Sequence, residues 1–223
     1  MDEHFWHERW QKNEIGFHLD QPHHFLTRFF ETMNLKEHSR VFVPMCGKSP
    51  DLLWIAEQGS PVIGVEISQL AIESFFVENN LNYEVTERDD LVIFSSPTCR
   101  LYCGDFFDLN ASELADVDGV YDRGALVAQP YDMRCRYASK LADLLMPGCK
   151  VLLVSYDYNQ QETFGPPFAV PVSEVQALFN AQFRIELLAR EDVLWSHQAL
   201  AARGVRQLDE LALLLERRGN RGR

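Results

Sequence analysis

No apolar run in these 223 residues approaches the roughly 20 that a membrane-spanning helix requires, so no bilayer segment is expected. The N-terminal Met1-Asp2-Glu3-His4-Phe5-Trp6 does not place a basic region before an apolar stretch, so no signal peptide is expected either. Cationic charge is scarce: 21 Lys and Arg stand against 33 Asp and Glu, a formal net charge of -12. A general nucleic-acid binder needs a cationic face to displace phosphate counterions, which argues against DNA or RNA as a partner. The one basic run, Arg217-Arg-Gly-Asn-Arg-Gly-Arg223, is short and reads as a solvated tail. Cysteines are few and odd in number, five, with no Cys-x-x-Cys pair, so neither disulfides nor a zinc site is expected and a reducing cytosol fits. What the chain has in quantity is core material, 46% hydrophobic and 12% aromatic residues, enough for one globular domain without cross-links.

The order of patterns along the chain points to an α/β architecture. Residues 1–35 read as helical, with Phe25, Phe29, Phe30 and Met33 sharing a face and Pro22 where a second helix would begin. Val41-Phe-Val-Pro-Met45 is a short apolar run leading into Cys46-Gly47-Lys48. Ser49-Pro50-Asp51 then carries a cap, a first-turn proline and an acid that suits a helix N-terminus. Gly59 ends that helix, Pro61-Val-Ile-Gly-Val-Glu66 forms a strand closing on a carboxylate, and Ser68 opens the next helix. Strand, turn, helix, strand, helix implies parallel strands with right-handed crossovers. Further strands are expected at Cys99–Cys103, Gly119–Asp122, Lys150–Tyr156, Phe183–Ala189 and Leu208–Leu215. Helices are expected at Met133–Met146, Ser173–Phe179 and Leu194–Ala202, and a small inserted hairpin at Tyr83–Glu87 with Leu91–Phe94. The Leu208–Leu215 run fits a helix nearly as well as a strand. The fold expected is one open, mostly parallel α/β sheet.

In such sheets the ligand lies beyond the carboxyl ends of the strands, beside the first one. A phosphate-binding loop ending in Gly47-Lys48-Ser49 would need a glycine at position 42, which is Phe42. A dinucleotide fingerprint would need further glycines where Ser49 and Leu52 stand, so NAD and FAD are disfavoured. S-adenosylmethionine has a ribose but no phosphate; it asks for one permissive turn and an acid for the ribose hydroxyls. Gly47 and Glu66, nineteen residues apart, supply both, and Gly104-Asp105 follows the next strand where an adenine amino group would need an acceptor. Taken alone, Glu66 could equally be a solvated strand-end acid.

Seven short motifs then occur in order: Trp6-His-Glu-Arg-Trp10, Gly16-Phe17-His18, Val43-Pro-Met-Cys-Gly-Lys48, Gly64-Val-Glu-Ile-Ser68, Asp122-Arg-Gly-Ala-Leu126, Ser155-Tyr-Asp157 and Gly165-Pro-Pro-Phe168. Together they resemble the thiopurine S-methyltransferase family, in its bacterial form, over most of the chain. The resemblance implies a single Rossmann-like class I methyltransferase domain, with a mostly parallel seven-stranded sheet, helices on both faces and an N-terminal helical lid. Its parts would be the lid at 1–35, an α/β core at 40–216 and a basic tail at 217–223. It further implies S-adenosylmethionine as cofactor, with S-adenosylhomocysteine as product, bound by Trp10, Met45, Gly47, Glu66, Asp105, Phe106 and Arg123. An aromatic thiol would be held by Phe17, Pro167 and Phe168. Arg123, and more remotely Asp157, would be the catalytic groups, Arg123 favouring an anionic acceptor; the plainer role for Arg123 is an ion pair with Asp122. The activity implied is S-methylation of thiopurines such as 6-mercaptopurine, with selenium or tellurium species as further acceptors. Halide methylation, or cofactor binding without turnover, are the alternatives. A cytoplasmic monomer is expected, with no metal: His4, His7, His18, His23 and His24 crowd the N-terminus, but no ligand pattern completes a site. Cys46 is read as a small residue under the turn, and Arg134, Arg136 and Lys140 as a solvated helix face.

Overall fold

A computed structural model describes residues 3–88 and 91–219. They form two compact units, Met1–Tyr121 and Asp122–Arg223. The last four residues of the expected basic tail, and Asp89-Asp90 between the hairpin strands, lie outside the described residues.

The first unit contains α1 (Glu3–Gln11), α2 (His24–Phe29), β1 (Arg40–Pro44), α3 (Pro50–Glu57), β2 (Val62–Glu66), α4 (Gln69–Glu78), β3 (Glu84–Arg88), β4 (Leu91–Ser95), β5 (Cys99–Cys103) and most of β6 (Val117–Arg123). β1 runs parallel to β2 and β6, and β2 parallel to β5, with Val43 opposite Gly64 and Gly64 opposite Leu101. The helix start signals act as expected. The Ser49 hydroxyl accepts from the Asp51 amide ahead of Pro50, and the Ser68 hydroxyl from Ala71. On α4, Ile72, Phe75 and Phe76 are fully buried while Leu70 and Val77 face out. Each buried phenylalanine contributes about 2–3 kcal/mol of transfer free energy. α2 begins two residues after Pro22, and the His23 ring caps it by accepting from the Phe25 amide; the proline precedes the cap instead of opening the helix.

The second unit contains α5 (Tyr131–Leu144), β7 (Lys150–Asp157), α6 (Val172–Phe179), β8 (Phe183–Asp192), α7 (Gln198–Ala202) and β9 (Asp209–Arg217). β9 lies between β7 and β8 and is antiparallel to both. That placement resolves the ambiguous run: Leu211, Ala212, Leu213 and Leu215 are fully buried, as a strand flanked on both sides requires. The helix expected over Leu194–Ala202 is broken into a short 3-10 turn, Leu194–Ser196, and α7. Arg217 and Arg218 are built into the fold. Arg217 Nε donates to the Ala142 carbonyl (2.9 Å), and Arg218 Nε to the Phe183 carbonyl (2.9 Å).

Two expectations are corrected. Among the described residues there are nine strands, not seven, because the hairpin is no separate insertion: β4 pairs antiparallel with β5 and carries β3 outside it. The sheet is mixed, not mostly parallel, since β3, β4, β8 and β9 all pair antiparallel. Among the described residues no helix is long and apolar enough to cross a membrane.

Candidate active site

In the first unit the site is a turn braced by a carboxylate. After Pro44 the chain reverses through Met45 (φ 47°) and Gly47 (φ 55°) into the Ser49-capped α3. Left-handed backbone is easy for glycine and costs about 1 kcal/mol for other residues. Glu66, last residue of β2, reaches this turn. One carboxylate oxygen accepts from the Gly47 amide (2.9 Å) and the other from the Ser68 amide (2.9 Å). At 6% exposure Glu66 is no solvated strand-end acid. Burial pushes its pKa up, and the amides of Ser68 and Gly47 work against that rise. Each carboxylate oxygen has two lone pairs, so acceptor capacity remains for a diol, and this acceptor pair fits the ribose hydroxyls of S-adenosylmethionine.

Trp10 and Phe17 join this turn. A Cβ on Gly47 would stand 3.0 Å from the Trp10 indole, so the ring packs directly on the glycine. Phe17 meets Trp10 edge to face at 5.7 Å and Trp6 at 5.9 Å. Gly47→Ala is therefore expected to lower stability by about 1–2 kcal/mol through its left-handed backbone and the displaced indole. S-adenosylhomocysteine affinity should fall with it. Wild-type melting temperature and affinity in the alanine variant would refute this close packing.

Asp105 follows β5, whose next amide, Gly104, donates to the Glu66 carbonyl (3.0 Å). Its side chain accepts from the Phe107 amide (2.9 Å) and caps the 3-10 turn Phe106–Asp108. The Phe106 ring is buried, stacked 6.4 Å from Phe42. Cys46 is buried as expected, with Sγ 2.8 Å from where a Cβ on Gly64 would stand. Burial, then the Glu66 charge, raises its thiol pKa well above the ordinary value, so it offers no thiolate.

The second unit holds Arg123, Asp157, Pro167 and Phe168. Arg123 ends β6. Its neighbour Asp122 is buried, accepting from the Tyr137 hydroxyl (2.7 Å) and the Leu126 amide (3.2 Å). Burial raises the Asp122 pKa to about 6. An unfolded aspartate ionises near 3.9, so between about pH 4 and pH 6 the folded state binds more protons. Stability is expected to fall as pH rises through that window, by up to ~3 kcal/mol at ~1.4 kcal/mol per unit. Asp122→Asn should flatten this slope; an unchanged slope in urea melts from pH 4 to 7 would rule out a protonated Asp122.

Asp157, at the end of β7, is held in an ion pair. Arg190 Nη1 donates to Asp157 (2.8 Å) and to Asp209 (2.7 Å). The Gly165–Phe168 loop is pinned at several points. The Tyr158 hydroxyl donates to the Pro167 carbonyl (2.7 Å), the Phe168 amide to the Val127 carbonyl (2.6 Å), and Arg203 Nη1 to the Pro166 carbonyl (3.2 Å).

Of the three basic residues read as a solvated face of α5, Arg136 is exposed and Lys140 half-buried, but Arg134 departs from that reading. It is 5% exposed, donates to Glu174 (2.7 Å) and the Gln129 carbonyl (2.6 Å), and lies 5.5 Å from the Phe168 ring centroid. Spacing alone could not show this, because the acid that buries it lies forty residues away on α6. Glu210 was missed for a related reason: a carboxylate at the start of an apolar run reads as a strand-end charge, yet it is 1% exposed.

Solved structures share this architecture. A 1,6-didemethyltoxoflavin-N1-methyltransferase from Burkholderia thailandensis, solved with S-adenosylhomocysteine, matches at TM-score 0.66 and 14% identity, covering 97% of this chain and 87% of that one. An S-adenosylmethionine-dependent methyltransferase from Anabaena variabilis matches at TM-score 0.64 and 13% identity, covering 97% and 95%. The fold is the α/β fold these methyltransferases share. Sequence narrows the class. The thiopurine S-methyltransferase (TPMT) family model matches residues 1–218. Proteins called thiopurine S-methyltransferase are 44% identical in Pseudomonas fluorescens (94% of this chain, 96% of that one) and 44% identical in Azotobacter vinelandii (98% and 100%). The chain belongs to the thiopurine S-methyltransferase family.

Proposed function

We propose that this protein transfers the methyl group of S-adenosylmethionine to the sulfur of aromatic and heterocyclic thiols such as 6-mercaptopurine. The observation that carries the reading is the buried Glu66 carboxylate bridging the Gly47 turn and the start of α4, in a chain of this family. When bound, the cofactor supplies a methyl carbon on a cationic sulfur, open to in-line attack by a thiolate. Glu66 accepts the ribose hydroxyls, Met45 and Gly47 line the turn, and Asp105 and Phe106 flank the adenine. Trp10 and Phe17, on the N-terminal lid, exclude water from the reacting sulfur. Arg123 contributes to cofactor binding and favours the anionic acceptor; heterocyclic thiols ionise near neutrality, so no strong general base is needed. Phe17, and separately Pro167 and Phe168, are assigned to the acceptor. Asp157 is the further polar group at the end of β7, held by Arg190. The rate comes mainly from alignment of nucleophile, methyl and leaving sulfur. The chain works as a single methyltransferase domain and a monomer in the cytoplasm, with nucleic acid playing no part.

Mass spectrometry of a reaction holding S-adenosylmethionine and 6-mercaptopurine tests the reading. The expected result is S-methylated purine and S-adenosylhomocysteine in equal amounts. Cofactor binding without methylated product from any aromatic thiol would overturn the acceptor assignment.

A further inference from the structure

Pro166 and Pro167 have no N–H, so this part of the loop between β7 and α6 has no main-chain donors with which to brace itself. Their carbonyls accept from side chains: Arg203 Nη1 donates to Pro166 (3.2 Å) and the Tyr158 hydroxyl to Pro167 (2.7 Å). The base of the loop is closed by the Val170 amide on the Tyr156 carbonyl (2.7 Å) and the Ser155 hydroxyl on the Val170 carbonyl (2.7 Å). Between these ends lies the Gln160 carboxamide. Its Nε2 donates to the Thr163 carbonyl (2.8 Å) and to the Tyr158 hydroxyl (3.1 Å), and its Oε1 accepts from the Ala169 amide (2.8 Å). The Tyr158 oxygen thus accepts from Gln160 and gives its only proton to Pro167, so the two bonds run in one direction. The reversed carboxamide would set an NH2 against the Ala169 N–H and an oxygen against the Thr163 carbonyl, so one orientation alone satisfies the group. Phe168 sits inside it. A Cβ on Gly165 would stand 2.5 Å from the Phe168 ring, so the ring packs directly on that glycine.

We propose that Gln160 is a positioning residue for the methyl acceptor: it holds Tyr158 on the Pro167 carbonyl and the Ala169 amide next to Phe168, so the Pro167–Phe168 segment is set before an aromatic thiol arrives. The inference rests on the assignment of Pro167 and Phe168 to the acceptor, and deepens it. Gln160 is exposed while Tyr158, Phe168 and Ala169 are buried, so an outer side chain fixes the inner ones. A loop that orders itself only on binding loses affinity through the entropy given up, and bonds made beforehand remove that cost. Glutamate is no substitute at 160, because a carboxylate only accepts and would draw the Tyr158 proton away from Pro167.

Steady-state kinetics on the full chain test it, with Gln160→Met, Gln160→Glu, Tyr158→Phe, and Gln160→Met combined with Tyr158→Phe. The quantities read are KM and kcat for 6-mercaptopurine, the Kd for S-adenosylhomocysteine, Tm, and amide hydrogen exchange over residues 163–169. Gln160→Met keeps the length and removes every bond of the carboxamide. It should raise KM about five- to tenfold, the worth of one or two hydrogen bonds, with kcat and Kd within about twofold of wild type. Gln160→Glu, which keeps the oxygen for Ala169, should raise KM by a similar factor. Tyr158→Phe should raise KM as well, and the combined variant by less than the product of the two. Exchange over 163–169 should quicken in both Gln160 variants. Faster exchange or a lower Tm with unchanged KM would overturn the proposal, since Gln160 would then be structural only. Effects of Gln160→Met and Tyr158→Phe that multiply independently would overturn it too. Phe168→Ala separates the proposal from the assignment beneath it. An unchanged KM in that variant removes the loop from the acceptor and the proposal with it; a raised KM there, but not in Gln160→Met, overturns the positioning role alone. A wild type that methylates no aromatic thiol would overturn both.

Discussion

Glu66→Ala should weaken S-adenosylhomocysteine binding by about 10²–10³-fold, because two sets of interactions fail together. The first is the acceptor for the ribose hydroxyls, where each hydrogen bond to a charged group contributes about 1.5–3 kcal/mol. The second is the brace. With the carboxylate gone, the Gly47 and Ser68 amides lose buried acceptors at 2.9 Å, and the turn that carries Met45 and Gly47 relaxes. Glu66→Gln separates the two. Its carbonyl oxygen fills only one of the two oxygen positions, so one of the two amides faces an NH2 group, and an intermediate loss of about tenfold is expected. Stability should respond differently from binding. Burial raises the pKa of Glu66, so the folded state holds its proton to higher pH than the unfolded chain. The charged group therefore opposes folding as pH rises through that range, and Glu66→Ala removes this opposition. Calorimetric titration of the three proteins at one pH measures the binding side. Wild-type affinity in Glu66→Ala would remove the acid from the site and with it the cofactor assignment of the turn.

Arg134→Ala should be the most destabilising single change in the second unit, at about 3–5 kcal/mol, the range for breaking a buried ion pair from one side. The guanidinium leaves behind the Glu174 carboxylate at 2.7 Å, the buried Gln129 carbonyl at 2.6 Å and the face of Phe168. Arg134→Met, which keeps the apolar stem and packs on the same ring, should recover part of the loss but still strand Glu174. Because Phe168 belongs to the loop assigned to the acceptor, the KM for 6-mercaptopurine should rise more than the Kd for S-adenosylhomocysteine. Urea denaturation gives the stability change. A loss below about 1 kcal/mol would mean that the pair contributes no more than an exposed salt bridge.

Much of this protein is legible in its sequence, for local reasons. The strand at Val62–Glu66, the caps at Ser49 and Ser68, the Gly47 turn and the strand Cys99–Cys103 depend on residues within a few positions of one another. Backbone geometry and capping act over that range, so short motifs specify them. The same locality let seven motifs carry the family resemblance, which the family match over residues 1–218 now supports.

What only the tertiary structure decided are the partners brought from far along the chain. Glu66 was legible as an acid at a strand end, but its double duty on Gly47 and Ser68 required β2 to lie beside β1. The hairpin was legible as a hairpin, whereas its attachment to β5, and hence the count of nine strands, depended on an open sheet edge. Arg134 reads as a surface cation in the sequence, and only the packing of α6 places Glu174 against it; that Glu210 is buried follows from β9 lying between β7 and β8. A charge's neighbours set whether it is solvated, buried or catalytic, and those neighbours are fixed by packing over tens of residues. Sequence therefore determined the elements, the turn and the family; burial and register determined which of its charges do structural work.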